Sequence, residues 1–274
     1  MIPALELAQY AREDQGIFYF DSVHGTKTLV LVHGNGDEAD TWRHIFVPLA
    51  AHFRVIALDL PGFGRSRSQT STIQGFSKTL LGLLDTLAFK SVHLVGSSLG
   101  AVVAATFASQ QPTRVAGLCL IGGAAPNLGR LEPSVAVQSL LEPEVGEAFY
   151  NGLRQAGQDA AFESLRPYYA DLNAMPAADL AFLHTRVWER VRSDTQRDTF
   201  FAALRSLFAP AEPLKLNLPT HLIWGEADQI VPQHHALRLL EQIPNSHLSM
   251  IAKAGHLPHQ EQPQATLRAI LELV

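Results

Sequence analysis

The stretch Val92-His93-Leu94-Val95-Gly96-Ser97-Ser98-Leu99-Gly100-Ala101-Val102-Val103-Ala104-Ala105 constrains this chain more than any other. An apolar run of β character enters it, a Gly-x-Ser-x-Gly turn follows, and a run of small residues with helical character leaves. A serine at the apex of so tight a strand-to-helix turn takes a strained backbone conformation. Its hydroxyl then stands above the sheet, beside the positive end of the following helix. Gly96 and Gly100 flank Ser98 and lack a Cβ, so strand and helix approach closely. Ser97 lies off the apex, which makes Ser98 the candidate nucleophile.

The rest of the chain supports that turn. Ile17-Phe18-Tyr19-Phe20 and Thr28-Leu29-Val30-Leu31-Val32 are β-rich runs, and the second is apolar throughout, as expected of a strand covered on both faces. It ends in His33-Gly34-Asn35-Gly36-Asp37, and an amphipathic helical pattern covers residues 40–52. Residues 54–58 form the next predicted strand, which ends in Asp59-Leu60-Pro61-Gly62-Phe63-Gly64-Arg65-Ser66. Helical spacing follows over residues 72–87, then the Ser98 stretch, then a strand over 115–121. From residue 124 to 213 the β signal disappears into Ala, Leu, Glu, Gln and Arg at helical spacing. Strands resume at 220–224 and 248–251, each followed by a helical run, near 232–242 and 263–273. Strands alternating with long helical runs predict an α/β fold, with a mainly parallel sheet flanked by helices. Residues 1–123 and 214–274 would form that core, and residues 124–213 an inserted helical cap.

Composition narrows the partners. A formal net charge of −5 leaves no electrostatic footprint for nucleic acid or for an anionic membrane. No uninterrupted apolar run approaches the ~20 residues needed to cross a bilayer. Glu6, Arg12, Glu13 and Asp14 stand where an export signal would need an apolar core, so the expectation is a cytoplasmic protein. Cys119 is the only cysteine, which excludes an internal disulfide and a cysteine-based zinc site. It is expected in the core.

A serine hydroxyl needs an adjacent base to remove its proton, and the base needs a third group to orient it. Asp228 follows one predicted strand and His256 the next, giving the chain order Ser98, Asp228, His256. Glu226 and His259 are the nearest rivals for the two supporting roles. Asp59 is read as a buttress of the Pro61-Gly62 turn, and His33 as a brace of its own loop. His256, His259 and the His234-His235 pair carry no H-E-x-x-H spacing, so no metal is expected. Gly34-Asn35-Gly36 lacks the third glycine of a dinucleotide loop, so no cofactor is expected either.

On five stretches the sequence resembles the α/β-hydrolase superfamily across essentially its whole length. They are His33-Gly34-Asn35-Gly36, residues 59–66, Gly96-Ser97-Ser98-Leu99-Gly100, residues 225–232 and Gly255-His256. The resemblance implies that Ser98 attacks an acyl carbon, that His256 serves as base and then acid, and that Asp228 holds the imidazole. It also implies an oxyanion hole made of the backbone N–H groups of Asn35 and Leu99, where each donor is worth roughly 100- to 1,000-fold in rate. Serine rather than aspartate at the elbow separates the chain from haloalkane dehalogenases and epoxide hydrolases.

The expected activity is hydrolysis of a small to medium, largely apolar carboxylic ester through an acyl-Ser98 intermediate. The alternative is a carbon–carbon bond hydrolase of ring-fission diketones. Those relatives usually carry a Ser-Met-Gly-Gly elbow where this chain has Ser98-Leu99-Gly100-Ala101. A non-catalytic small-molecule receptor is the reading from another class. The ten cap aromatics, Phe149, Tyr150, Phe162, Tyr168, Tyr169, Phe182, Trp188, Phe200, Phe201 and Phe208, are expected mostly to bury the cap's own helices, with about three of the ten reaching a substrate pocket. No arginine cluster singles itself out as an anion clamp.

Overall fold

The computed structural model describes residues 4–67 and 70–273. Residues 1–3, 68–69 and 274, which the sequence reading assigned to the core, lie outside the described residues. The strands are β1 (Ala11–Asp14), β2 (Ile17–Asp21), β3 (Thr28–Val32), β4 (Arg54–Leu58), β5 (Val92–Ser97), β6 (Val115–Ile121), β7 (Thr220–Gly225) and β8 (Ser246–Ile251). They form one sheet in the order β1-β2-β4-β3-β5-β6-β7-β8. All neighbouring pairs from β4 to β8 in that order are parallel, while β2 runs antiparallel to β4 and β1 to β2.

Alternation along the strands builds two apolar layers. Val30, Val32, Leu94, Leu118, Leu120, Leu222 and Trp224 point to one face. There they meet Phe76, Leu80 and Leu84 of α2 (Ile73–Thr86; α1 is Arg43–Ala50), and the small residues of α3 (Leu99–Gln110). Leu29, Leu31, Val95, Cys119, Ile121 and Ile223 point to the other, against Ile45, Phe46 and Leu49 of α1. Because the period is two, each strand feeds both cores. Burial of Cys119 pushes its thiol well above the usual range, as suits a small core residue rather than a reactive one. Helix and sheet approach closely at α3, where a Cβ on Gly100 would come within 2.1 Å of the Val32 carbonyl oxygen.

Between β6 and β7 the chain makes α4 (Val135–Leu141), α5 (Pro143–Ala156), α6 (Gln158–Glu163), α7 (Ala177–Arg192) and α8 (Asp194–Leu207). Ser134 and Ser193 cap α4 and α8 by accepting from Val137 and Gln196 N–H, and Pro143 opens α5 where no intrahelical donor is needed. These helices bury two small clusters of their own, one around Tyr150, Val187 and Phe201, the other around Tyr169, Leu172 and Leu183. After β7 come α9 (His234–Gln242), then β8, α10 (Pro258–Glu261) and α11 (Pro263–Leu271), which packs on the second core. Among the described residues no helix is long and apolar enough to cross a membrane.

Two elements differ from the sequence reading. The helical pattern over 40–52 divides into a 3-10 turn, Ala39–Trp42, and α1, because Asp40 and Trp42 are drawn fully into the interior. Strand β1 has the sequence Ala-Arg-Glu-Asp, and its half-exposed edge position leaves no apolar alternation to reveal it.

Candidate active site

Ser98 sits between β5 and α3 with φ 54° and ψ −117°, a conformation unfavourable for a residue with a Cβ. Its N–H is held by the Ile121 carbonyl at 2.8 Å, and its own carbonyl receives the N–H of Ala101 at 3.0 Å. The turn is therefore fixed from the neighbouring strand and from the helix it begins. Leu99 is the first residue of α3, so its N–H has no acceptor within the helix and lies at the positive end of the helix dipole. The loop after β3 comes up against the same serine: a Cβ on Gly34 would stand 3.2 Å from the Ser98 Cβ. Asn35 follows, its side chain donating to the Phe200 carbonyl of α8 at 3.2 Å.

Asp228 lies in the turn after β7 and His256 in the loop after β8. Parallel strands carry both to the edge of the sheet where Ser98 emerges. Asp228 Oδ1 accepts from the N–H groups of Ile230 and Val231, each at 2.9 Å, and Oδ2 lies 2.8 Å from His256 Nδ1. A carboxylate only accepts, so Nδ1 carries the proton and Nε2 presents a lone pair. That Nε2 is buried and has no hydrogen-bond partner among the described residues. The aspartate–histidine half of the constellation is closed and the serine–histidine half is open. The His256 N–H donates to the Tyr168 carbonyl at 2.8 Å, and Glu261 holds the same loop through the N–H groups of Gly255 and Ala170.

The rival residues are placed elsewhere. Glu226 is exposed. His259 is fully buried against Trp42, with its Nε2 at 2.9 Å from the Thr41 hydroxyl, and burial lowers its pKa to about 3. His33 receives the Leu60 N–H at Nε2 and meets the Gly34 carbonyl at Nδ1, bracing its loop. Asp59 accepts from Ala39 N–H and from the backbone and guanidinium of Arg65, which ties the turn after β4 to the turn after β3.

Ser98 and His256 line one cavity of about 140 Å³. Its walls are largely apolar, and five of the ten aromatics between β6 and β7 reach it: Phe149, Tyr150, Tyr168, Tyr169 and Phe200. The sequence reading anticipated about three, because helical spacing does not separate a face turned to a cavity from one turned to a neighbouring helix. It also passed over Arg190 of α7, which lines the cavity and is only 13% exposed. Arg190 donates to the carbonyls of Gly36 and Arg186, while carboxylate oxygens of Asp37 and Glu38 stand at 3.7 and 3.6 Å. Burial pushes the Glu38 carboxyl up to about 7 against the pull of Arg190. One turn earlier, Arg186 faces Glu38 and Asp40. The pairing of 186 and 190 on one helical face with the acidic run 37–40 was the available signal.

A serine at a strained turn after β5, a buried aspartate–histidine pair after β7 and β8, and this strand order occur together in one large family. The sequence pattern of the alpha/beta hydrolase fold matches residues 27–263. The chain belongs to the α/β-hydrolase family. Among curated relatives, a 2-hydroxy-6-oxononadienedioate/2-hydroxy-6-oxononatrienedioate hydrolase of Pseudomonas putida is 31% identical, over 95% of this chain and 92% of its own. A thermophilic esterase from Thermogutta terrifontis superposes with a TM-score of 0.76 at 25% identity, covering 96% of this chain and 95% of that one. The 2-hydroxy-6-oxo-6-phenylhexa-2,4-dienoate hydrolase of a Rhodococcus strain shares the fold, with a TM-score of 0.75, 22% identity and 93% coverage of each chain. Within this family of hydrolases, what the site can do follows from its parts: a lone-pair nitrogen and a hydroxyl facing one largely apolar cavity, with backbone donors beside them.

Proposed function

We propose that this α/β hydrolase cleaves a carbonyl substrate through an acyl-Ser98 intermediate, and that the bond broken is a carbon–carbon bond next to a ketone in a conjugated keto acid. His256 takes the Ser98 proton and returns it to the leaving group, and Asp228 holds the imidazole and steadies its charged form. The N–H groups of Leu99 and Asn35 receive the developing oxyanion. The helices of residues 124–213 act as a lid that limits bulk water in the acyl pocket; once the leaving group has gone, one water, deprotonated by His256, attacks the acyl carbon and the proton passes back to Ser98 as its ester bond breaks.

The observation that carries the carbon–carbon reading is Arg190 in the wall of the cavity that Ser98 and His256 share. Breaking a carbon–carbon bond expels a carbanion, which leaves only when its charge spreads through a conjugated acid. A guanidinium whose nearest carboxylates stand at 3.6 and 3.7 Å, beyond hydrogen-bond length, is suited to re-pair with the carboxylate of such a substrate. The activity for which the Pseudomonas putida relative is named agrees with this choice.

The second reading is hydrolysis of an apolar carboxylic ester. It is favoured by Leu99-Gly100-Ala101 at the elbow and by the likeness to the Thermogutta esterase. Steady-state kinetics on a 2-hydroxy-6-oxo-dienoate and on short p-nitrophenyl esters, with Ser98→Ala as control, separate the two. The proposal expects kcat/KM on the dienoate to exceed that on the esters by about 100-fold or more, equivalent to ~2.7 kcal/mol of transition-state discrimination. Preference in the opposite sense establishes the ester reading. Fluorophosphonate labelling that survives Ser98→Ala removes the nucleophile assignment, and ligand retention without turnover marks a receptor.

A further inference from the structure

A second group of ligating side chains lies away from the cavity. His221 of β7 and His247 of β8 are register partners on a parallel pair, so both project from one face of the sheet. Their rings lie 3.7 Å apart at 42°. On that face Ile223 packs with Ala269 and Ile270 of α11, and Glu272 follows the helix directly. One ligand atom from each of His221, His247 and Glu272 lies within 4.8 Å of the others. His221 is fully buried; its Nε2 stands 2.9 Å from the Ser249 hydroxyl, and its Nδ1 has no hydrogen bond of full geometry among the described residues, the Ala269 backbone of α11 making only a weak one with the ring. A buried ring nitrogen left in that state costs free energy that a cation would recover.

We propose that His221, His247 and Glu272 form a binding site for a divalent cation of the zinc type. Two imidazoles and a carboxylate select a borderline ion over calcium or magnesium, which take oxygen ligands. Tetrahedral bonds of about 2.1 Å set donors about 3.4 Å apart. Rotation of the two exposed side chains, His247 and Glu272, closes the difference, and the fourth position is left to water. The site is remote from the chemistry: His221 and His247 stand near the amino ends of strands whose carboxyl ends lead to Asp228 and His256. The ion therefore acts as a clasp that fastens the edge strand β8 to the C-terminal helix.

Chelator-treated full-length protein titrated with zinc chloride, read by calorimetry and by thermal unfolding, tests the clasp. One equivalent should bind, and the unfolding midpoint should rise by about 5 °C at about 100 times the dissociation constant. His247→Ala and Glu272→Gln alter exposed positions and leave the fold intact; each should weaken binding by about 10-fold or more. His234→Ala, at the other histidine pair, should bind as the parent does. Turnover at Ser98 should be the same with and without zinc. Absence of saturable binding overturns the proposal, as does equal affinity in His247→Ala.

Discussion

The guanidinium of Arg190 in α7 donates to the carbonyl oxygen of Gly36, two peptides along from the Asn35 N–H assigned to the oxyanion. A helix from the stretch between β6 and β7 thus holds the loop that carries the proposed oxyanion donor. Arg190→Met should lower kcat by about 100-fold, because displacing a positioning group by ~1 Å costs that much. The loss should be larger on a carboxylate-bearing substrate than on a neutral ester, since only the former meets the guanidinium directly. Parallel kinetics on the two substrate classes provide the check; an equal loss on both would confine Arg190 to bracing the loop.

Asp228→Asn keeps an acceptor for the Ile230 and Val231 N–H groups but removes the charge facing His256 Nδ1. The fold should survive while kcat falls by about 10,000-fold, through the wrong histidine tautomer. Circular dichroism and single-turnover acylation measured together will show it. A reduction of only a few-fold would mean that Asp228 does not orient the base.

Glu38 is buried, its Oε2 facing Arg190 at 3.6 Å without a hydrogen bond among the described residues, and its carboxyl is raised from 4.5 to about 7. The folded state therefore holds a proton that the unfolded chain has already released between those values. Stability from this group is complete below about 4.5 and is lost as pH rises through about 7. Glu38→Gln imitates the protonated form. Its stability relative to the parent should rise between pH 5.5 and pH 8.5 by about 2 kcal/mol. Urea unfolding of both proteins across that range measures the gap; a gap independent of pH would rule the titration out.

Two glycine-to-alanine changes should act in opposite directions. At Gly100 the new Cβ would stand 2.1 Å from the Val32 carbonyl oxygen, which is backbone and cannot swing aside. Loss of about 3 kcal/mol or more is expected, with failure to fold as the extreme. At Gly82, exposed within α2, no atom lies within 4 Å of the added carbon, and a gain of about 0.5–1 kcal/mol is expected. Chemical denaturation of the pair gives the comparison.

The elements that position the site were legible because their signal is local. Leu29 and Leu31 alternate with Val30 and Val32 between two cores, and Ser98, Asp228 and His256 each follow a strand end that the sequence shows. What escaped depends on contacts distant in sequence. Arg190 and Gly36 meet only once α7 has folded over the edge of the sheet, and periodicity within α7 says nothing of where it lands. His221 reads as an ordinary strand residue and His247 falls just before the strand predicted over 248–251, until the β7–β8 register sets them side by side. Strand β1 is held by pairing alone, so its charged sequence resembles a loop.

None of Ser98, Asp228, His256, Asn35 or Leu99 comes from the helices between β6 and β7, yet those helices furnish most of the cavity wall. On the proposed assignment, reaction and selectivity are encoded in separate parts of the gene. A lineage could trade one set of roof helices for another and acquire a new diet with its bond-breaking apparatus untouched, provided the newcomer also brought a hand to steady the Gly36 carbonyl.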